Sequence, residues 1–468
     1  MKELQARVEV LTSEEIQVIH RSSLRILERV GVRVPHEDCL ARCARAGAKV
    51  DESSGVVRFP ASLMEEVLQR FRGQPEADLP DPKVAPLTGV ISTQVYLVDY
   101  DTQTRRLGSL DDVRKGIALV QHLNNFPTAN AVVVPSDVAT ELADIVCFQL
   151  IYSYSKKPGG TYVLTPFSAK HVISMAQVMD RSVWFLLDPV SPLQFRRENI
   201  EIASIFARAG QPLYIGSMVM AGATGPVTLA GTLCLHNAEL LATLFLVHAL
   251  TQEYRYDIYN SGPHTVDPRT MICSFGSPNQ ALLGICMAQL GRFYGIRRVA
   301  NVGLTDSLRP DFQCGIEKAV SGVFGGLAGI QTIGCQGLVG ADQGFSYEQL
   351  VLDNEWMEFY NFILRGVEVT EETIAADVIE AIGIGGNFLG EEHTAKNFRT
   401  SLFQSKFLNR KDWETWIADG GKDTLARAHD YVGDMTANYG AALPVCTAQQ
   451  FDELARIVVL ARKELQQS

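Results

Sequence analysis

The sequence predicts an α/β fold, namely a (β/α)8 barrel with helices and β-hairpins before it and further helices after it. Short apolar segments rich in β-branched residues alternate with helical patterns between residues 129 and 333, and this alternation is typical of parallel strands joined by helices. The number of these units fits a closed barrel better than an open sheet. The chain has 468 residues, 46% of them hydrophobic and 20% charged, which is typical of a large globular domain.

We expect residues 1–110 to form small elements that pack on the barrel. Thr12 and Glu15 have the spacing of a capping box, in which each side chain bonds the backbone of the other residue, and apolar residues then recur at helical spacing as far as Gly31. This pattern predicts a helix over residues 13–30. The other predicted elements of this region are helices over 37–46 and 63–71, hairpins over 48–59 and 95–107, and a proline-rich loop over 73–86.

We expect the barrel over residues 111–395 and a C-terminal helical extension over residues 396–468. The predicted strands are residues 129–134, 160–164, 183–187, 212–218, 256–260, 299–303 and 329–333, with a last strand over 382–388. The predicted helices are residues 111–123, 140–154, 168–179, 199–209, 228–251, 280–294, 312–324, 347–365, 370–381 and 448–465.

The composition argues against several classes of partner. The net charge of −11 repels phosphate backbones, so we expect no nucleic-acid partner. No apolar run reaches the roughly 18 residues of a membrane span, and the first residues lack the apolar core of a signal peptide. We therefore expect a cytoplasmic protein that does not enter a membrane.

Three possible metal ligands, His36, Cys39 and Cys43, lie on successive turns of one predicted helix. This spacing is compatible with a metal cluster. We interpret it instead as a thiol-bearing helix face, because no fourth ligand is evident nearby and the chain has no C-x-x-C pair. We therefore expect no metal site.

The main candidate catalytic residues follow a predicted strand near residue 303. Active sites of such barrels lie at the C-terminal ends of the strands, where carboxylates can stabilise a cation or orient a substrate. We therefore predict Asp306 and Glu317 as catalytic residues. Arg309 and Gln313, from the same loop and helix, are predicted substrate contacts. In the structural alternative, Asp311 caps the helix and Glu317 is solvated.

Two further loops carry candidate substrate-binding residues. Tyr259 and His264 flank the end of another predicted strand, and Phe275 precedes the next helix. A histidine at this position can anchor a carboxylate or move a proton. The alternative for a single loop histidine is a surface or packing role.

Aromatic residues gather after the predicted strand at 329–333. Gln336 follows this strand, and Phe345 and Tyr347 lie a few residues further on. Aromatic faces attract quaternary ammonium groups, which cannot donate hydrogen bonds. We predict these three residues as substrate contacts, and core packing is the alternative for each aromatic side chain.

Several motifs resemble one known family over nearly the whole chain. They are LTSEE at 11–15, VGVRV at 30–34, the hairpin at 97–106, AGATGPVTLAG at 221–231 with NAE at 237–239, TDS at 305–307 with Asp311 and Gln313, FLG at 388–390, HT at 393–394 and FR at 398–399. Together these motifs resemble the trimethylamine methyltransferase family, and the stretch at 221–239 is the most specific of them.

The resemblance implies a TIM-barrel methyltransferase that passes a substrate methyl group to the Co(I) corrinoid (cobalamin) of a corrinoid-binding partner protein, with no tightly bound cofactor of its own. The trimethylamine enzymes of the family carry pyrrolysine, whereas this sequence has only the twenty standard residues. It is therefore similar to the pyrrolysine-free branch, which implies a quaternary amine substrate such as glycine betaine, proline betaine, carnitine or γ-butyrobetaine.

The residue chemistry is compatible with this reaction. Co(I) corrinoid is a strong nucleophile that needs no activating base, and a quaternary amine leaves as a neutral tertiary amine that needs no acid. The protein then has to orient the substrate and exclude water. On this hypothesis Asp306 and Glu317 accommodate the cation and the aromatic residues form cage walls. His264 or Arg309 pairs with a betaine carboxylate, and Arg309 is the better bidentate donor.

Two other functions stay open at this point. One is a different barrel enzyme, a lyase or isomerase that acts on a small acid. The other is a non-enzymatic regulator that binds betaines or the corrinoid protein. In every case a homo-oligomer is the common default for a soluble protein.

Overall fold

Helices make up most of the structure, a computed structural model that describes residues 7–72, 93–253, 257–258, 262–295, 302–334 and 336–467. The helices of these ranges are α1 (Ser13–Arg29), α2 (Glu37–Arg45), α3 (Ala61–Arg72), α4 (Leu110–Val120), α5 (Thr140–Tyr154), α6 (Pro166–Val178), α7 (Arg197–Arg208), α8 (Leu229–Thr251), α9 (Pro278–Tyr294), α10 (Phe312–Leu327), α11 (Tyr347–Leu364), α12 (Glu371–Ile374), α13 (Ala376–Ile382), α14 (Glu392–Ser401), α15 (Trp413–Ala418), α16 (Thr424–Thr436) and α17 (Ala448–Gln467). The helices predicted between residues 13 and 365, and the closing helix, are confirmed with ends that shift by a few residues.

The strands are short and form four small sheets. They are β1 (Val32–Arg33), β2 (Lys49–Asp51), β3 (Val56–Arg58), β4 (Tyr96–Asp99), β5 (Thr104–Leu107), β6 (Phe185–Leu187), β7 (Leu213–Ile215), β8 (Met220–Ala221), β9 (Asp257–Ile258), β10 (His264–Val266), β11 (Cys273–Ser274), β12 (Leu338–Val339) and β13 (Gly344–Phe345). The sheet orders are β1-β3-β2, β11-β10-β8, β12-β13-β4-β5 and β6-β7-β9. Pairing is parallel throughout β6-β7-β9, between β8 and β10, and between β13 and β4.

The N-terminal elements form where the sequence predicts them. Thr12 Oγ1 accepts a hydrogen bond from the Glu15 amide at 3.2 Å, and Glu15 Oε2 accepts one from the Thr12 amide at 2.8 Å, so the capping box of α1 is complete. Gly31 then turns the chain at φ +79°, and a Cβ there would lie 2.2 Å from the Val57 carbonyl oxygen. The two predicted hairpins are confirmed as β2–β3 and β4–β5.

The N-terminal region is held on the body through α8 and α9. His20 of α1 bonds the Tyr294 hydroxyl at 2.9 Å, and Asn237 of α8 donates to the same hydroxyl at 2.9 Å and to Ser23 Oγ at 2.9 Å. The side-chain amide of Gln289 bonds the backbone of residues 10 and 11. Buried polar groups are therefore paired across this junction, as their burial requires.

Helix α8 lies at the centre of the core. It is long and apolar enough to cross a membrane, yet 94% of its most apolar window is buried inside the structure. Apolar residues occur around its whole circumference, which is typical of a core helix that has neighbours on every side.

Backbone bonds join further segments that the sequence predicts as strands. Ala129 donates to the Pro158 carbonyl at 2.8 Å and Ala131 to the Gly160 carbonyl at 3.2 Å, although neither segment forms a regular strand. Gly334 donates to the carbonyl of Val302 at 2.7 Å. The closed barrel and the region boundaries at 110 and 395 stay predictions.

Two predictions for the region after α11 are wrong. The last strand predicted over residues 382–388 is absent, because Gly383 and Gly385 have φ values of +67° and +78° and the segment is a turn. The single helix predicted over residues 370–381 is two helices, α12 and α13, because Ala375 between them lies in the left-handed region at φ +52°.

Candidate functional site

The loop before α10 and the turn between β11 and α9 bring Asp306 and Glu317 into one hydrogen-bonded cluster. Glu317 Oε2 accepts from Thr305 Oγ1 at 2.6 Å and from the Asp306 amide at 2.8 Å. Asp306 Oδ2 accepts from Ser274 Oγ and Oδ1 from the Phe275 amide, each at 2.5 Å. The two predicted catalytic carboxylates are thus held in fixed orientations by neutral donors.

Gly276 makes this arrangement possible. A Cβ at this position would lie 2.2 Å from Glu317 Oε2 and 2.3 Å from its carboxyl carbon. Such contacts are far below van der Waals distance, so only glycine lets the carboxylate pack directly on the backbone. The Gln313 side chain donates to Glu317 Oε1 at 2.9 Å, on the outer side of the cluster.

Asp311 acts as the N-cap of α10. Its Oδ1 accepts from the Cys314 amide at 2.9 Å and from Ser307 Oγ at 2.7 Å. The capping interpretation of Asp311 is confirmed.

His264 is fully buried and contacts Phe275, whose amide bonds Asp306. Its ring lies 4.2 Å from the Phe275 ring, centre to centre, and Nδ1 bonds Gln280 Oε1 at 3.0 Å. Since an amide oxygen only accepts, Nδ1 carries the proton in this pair. Burial lowers the pKa of His264 to about 4, so its imidazole is neutral at pH 7.

Sequence reasoning missed His236, which lies close to His264. It is fully buried in α8, and in the ranges that the structure describes neither of its ring nitrogens has a hydrogen-bond partner. Burial, together with the nearby His264, lowers the pKa of His236 to about 3. A polar residue one position before the NAE motif of an otherwise apolar helix was the available signal.

The sequence analysis also did not identify the structural role of Glu239, the last residue of the NAE motif at 237–239. Its carboxylate accepts from Ser191 Oγ at 2.7 Å, Ser217 Oγ at 2.6 Å and the Leu193 amide at 2.8 Å. Burial raises the pKa of Glu239 despite these bonds. It ties the loops after β6 and β7 to α8.

Phe345 and Tyr347 lie in the core. Their rings meet edge to face at 5.2 Å, the Tyr347 hydroxyl donates to the Asp112 carbonyl at 2.9 Å, and the Lys115 ammonium lies 4.6 Å from the centre of the Tyr347 ring. Gln336 is buried at φ +57°, and its Oε1 has no partner in the described ranges. These contacts favour the packing alternative for the two aromatic residues, and their role as cage walls stays a prediction.

Arg309 is exposed and lies outside the carboxylate cluster. It lines a cavity of about 580 Å³ together with Tyr96, Tyr100 and Arg105, whereas Asp306 is not among the lining residues. The structure therefore brings together Asp306, Glu317, Gln313, His264 and Phe275, and Arg309 lines a cavity whose lining residues do not include these five. The prediction for Tyr259 lies outside the described residues.

His36, Cys39 and Cys43, the three possible metal ligands near α2, have structural contacts. His36 Nδ1 accepts from the Cys39 amide at 3.2 Å and so caps α2. Cys39 and Cys43 are both buried. Among the residues that the structure describes, no group of three or more metal-ligating side chains is present.

These clusters define a site of rigid carboxylates and neutral imidazoles, and comparison with known proteins identifies its class as a methyltransferase. The model of the family described as trimethylamine methyltransferase (MTTB) matches residues 1–464. The chain belongs to this family.

Relatives with known names align with this chain over nearly their whole length. A trimethylamine methyltransferase MttB of Desulfitobacterium hafniense (strain DSM 10664 / DCB-2) is 30% identical over 92% of this chain and 89% of its own. A glycine betaine methyltransferase of D. hafniense (strain Y51) is 28% identical over 94% of each chain. The MttB of Methanosarcina thermophila is 30% identical over 92% of this chain and 93% of its own. The predictions of the family and of a methyltransferase are confirmed.

Proposed function

We propose that this chain transfers a methyl group from a quaternary amine, such as glycine betaine, to the Co(I) corrinoid of a partner protein. Its family and the glycine betaine methyltransferase among its relatives support the reaction. The observation that carries the proposal is the Asp306–Glu317 cluster, two carboxylates that, among the described residues, accept hydrogen bonds only from neutral donors, so that no described cation competes with a cationic ligand.

The buried histidines suit a cationic substrate for the same reason. His264 and His236 have pKa values near 4 and 3 and carry no charge at pH 7. No imidazolium then repels an ammonium group beside the carboxylates. His236 and Gln336 also hold buried polar atoms without partners in the described residues, which fits a site that receives a polar molecule from outside.

The reaction needs little acid or base from the chain. The C–N bond of the methyl group breaks, its electron pair stays on nitrogen, and the amine leaves neutral. When bound, the corrinoid supplies the nucleophile that takes the methyl group. The chain orients the substrate cation through Asp306 and Glu317 and shields it from water.

We also propose that the parallel segments close into the predicted (β/α)8 barrel. Support comes from the chain order of the backbone contacts, which run from 129–131 to 158–160, through β6, β7 and β9, and from residue 302 to residue 334. Val134 donates to the carbonyl of Gln94, next to β4, which pairs with β13. We also propose a cytoplasmic location, and the burial of α8 supports it in so far as this helix then does not cross a membrane.

The deciding experiment follows the methylation of cob(I)alamin optically with a panel of quaternary amines and with trimethylamine. We expect turnover with at least one quaternary amine and a large loss in Asp306→Asn. Binding of a betaine without turnover, even with corrinoid proteins present, would support the regulator instead. Elimination or isomerisation of a small acid without methyl transfer would support the other enzyme class.

A further inference from the structure

Residues 367–402 form a segment, here called the arm, that projects from the end of α11. The chain leaves the body at Leu364 and returns at Ser405, whose hydroxyl donates to Glu355 Oε1 at 2.5 Å, while the Lys406 amide donates to the same oxygen at 3.1 Å. Between Asn361 and Lys406 no residue is buried. Both ends of the arm are thus fixed to α11, and the arm itself has no core.

The arm is folded although it lacks a core. Its helices α12, α13 and α14 have 4, 7 and 10 residues, and isolated helices of this length are marginal in water. The arm nevertheless exposes large apolar side chains, with relative exposures of 72% for Val367, 108% for Ile384 and 79% for Leu389. Nine large apolar side chains of the arm are exposed by 44% to 108%, and a standard interface buries ~800 Å² per partner.

A second apolar surface, here called the α10 stripe, lies on the body. Phe312, Ile316, Val320 and Phe324 are spaced by four residues and are exposed by 84%, 49%, 41% and 42%. Residues with this spacing lie along one face of a helix. An outward apolar face of this extent on a helix that is otherwise packed marks an interaction surface.

We propose that the arm of one copy of this chain packs on the α10 stripe of a second copy. Both surfaces belong to this chain, both are apolar, and neither is covered within the described residues of the chain that carries it. A reciprocal exchange of two arms satisfies both surfaces on both copies at once, which is the usual geometry of a closed dimer. It also forms the contact twice, which doubles the area that a single contact would bury.

The exchange has a consequence for the site. Phe312 begins α10, one residue before Gln313, which bonds Glu317. The arm of the second copy therefore lies beside the carboxylate cluster of the first. The inference does not depend on the proposed reaction, because its test measures mass and not turnover.

The test compares the mass of the purified full chain with that of variants by light scattering after size exclusion. We expect an oligomer for the full chain, and a monomer when residues 368–402 are replaced by a short Gly-Ser linker. The double variant Val320→Lys and Phe324→Lys, with the arm intact, is also expected to be monomeric. The matched control is Leu460→Lys, which makes the same change at an outward residue of α17 that is 50% exposed.

Circular dichroism melting shows whether each variant keeps its fold. If the linker variant does not fold, the lysine double variant and hydrogen exchange of the full chain test the proposal instead. In that measurement, amides of α13 and α14 should exchange more slowly as the protein concentration rises. A monomeric full chain, an unchanged mass in both variants, an equal loss in Leu460→Lys, or arm protection only on addition of a corrinoid protein would overturn the proposal.

Discussion

Asp342→Asn should stabilise the protein more at pH 8 than at pH 5. Asp342 Oδ1 accepts from Thr93 Oγ1 at 3.0 Å and from Gln94 Nε2 at 2.6 Å, and the residue has φ +70°. Asparagine keeps an acceptor oxygen in this place and tolerates the left-handed backbone well. The substitution therefore removes a negative charge with little change in shape.

The magnitude follows from the pKa of the carboxyl group. Burial raises the pKa of Asp342 from 3.8 to about 6. In the pH range around and between these two pKa values, the carboxyl group is protonated more in the folded state than in the unfolded state. The free energy of unfolding of the wild type therefore falls as the pH rises. The full loss is ~3 kcal/mol above pH 6, and ~1.5 kcal/mol of it falls between pH 5 and pH 8.

Urea unfolding of both proteins at pH 5 and pH 8 measures this difference. The free energy of unfolding of Asp342→Asn minus that of the wild type should be ~1.5 kcal/mol larger at pH 8 than at pH 5. Asp51→Asn is the control, because turn hydrogen bonds lower the pKa of Asp51 to about 2 and its effect should be equal at both pH values. A constant offset between Asp342→Asn and the wild type would refute the reasoning.

The other predictions concern the site. Asp306→Asn removes a negative charge from the side of the substrate cation, an interaction on the order of 1–4 kcal/mol at close range, so kcat/KM for a quaternary amine should fall about 10- to 100-fold, and unchanged kinetics would exclude a role for this carboxylate. Gly276→Ala displaces Glu317 and should lower kcat/KM and the melting temperature together, whereas Gly315→Ala on α10, where a Cβ meets nothing within 4 Å, should be neutral or stabilising. Arg309→Ala should weaken a carboxylated substrate more than a carboxylate-free one in titration calorimetry, and equal losses would remove Arg309 from the site.

Local chemistry in the sequence predicted most of the helices. The capping box at Thr12 and the alternation around Val50 and Val57 specify their elements through contacts a few residues apart. The strand over 382–388 failed because apolar residues next to glycines were interpreted as buried, whereas Ile384 is fully exposed.

The site was only partly predictable for a different reason. Asp306 could be placed at a loop, but its bonds to Ser274 and Phe275 join residues more than thirty positions apart, which periodicity cannot show. His236 escaped notice because α8 is buried on all sides and offers no polar face as a reference.

The junction of α1 with α8 and α9 also sets a problem for synthesis of the chain. His20 leaves the ribosome 274 residues before Tyr294, its hydrogen-bond partner. At ~5–20 residues per second, that interval lasts roughly 14–55 s. Helices α3 and α8, which also pack on α1, emerge before α9, so the junction forms in stages and its hydrogen bonds to Tyr294 are completed last.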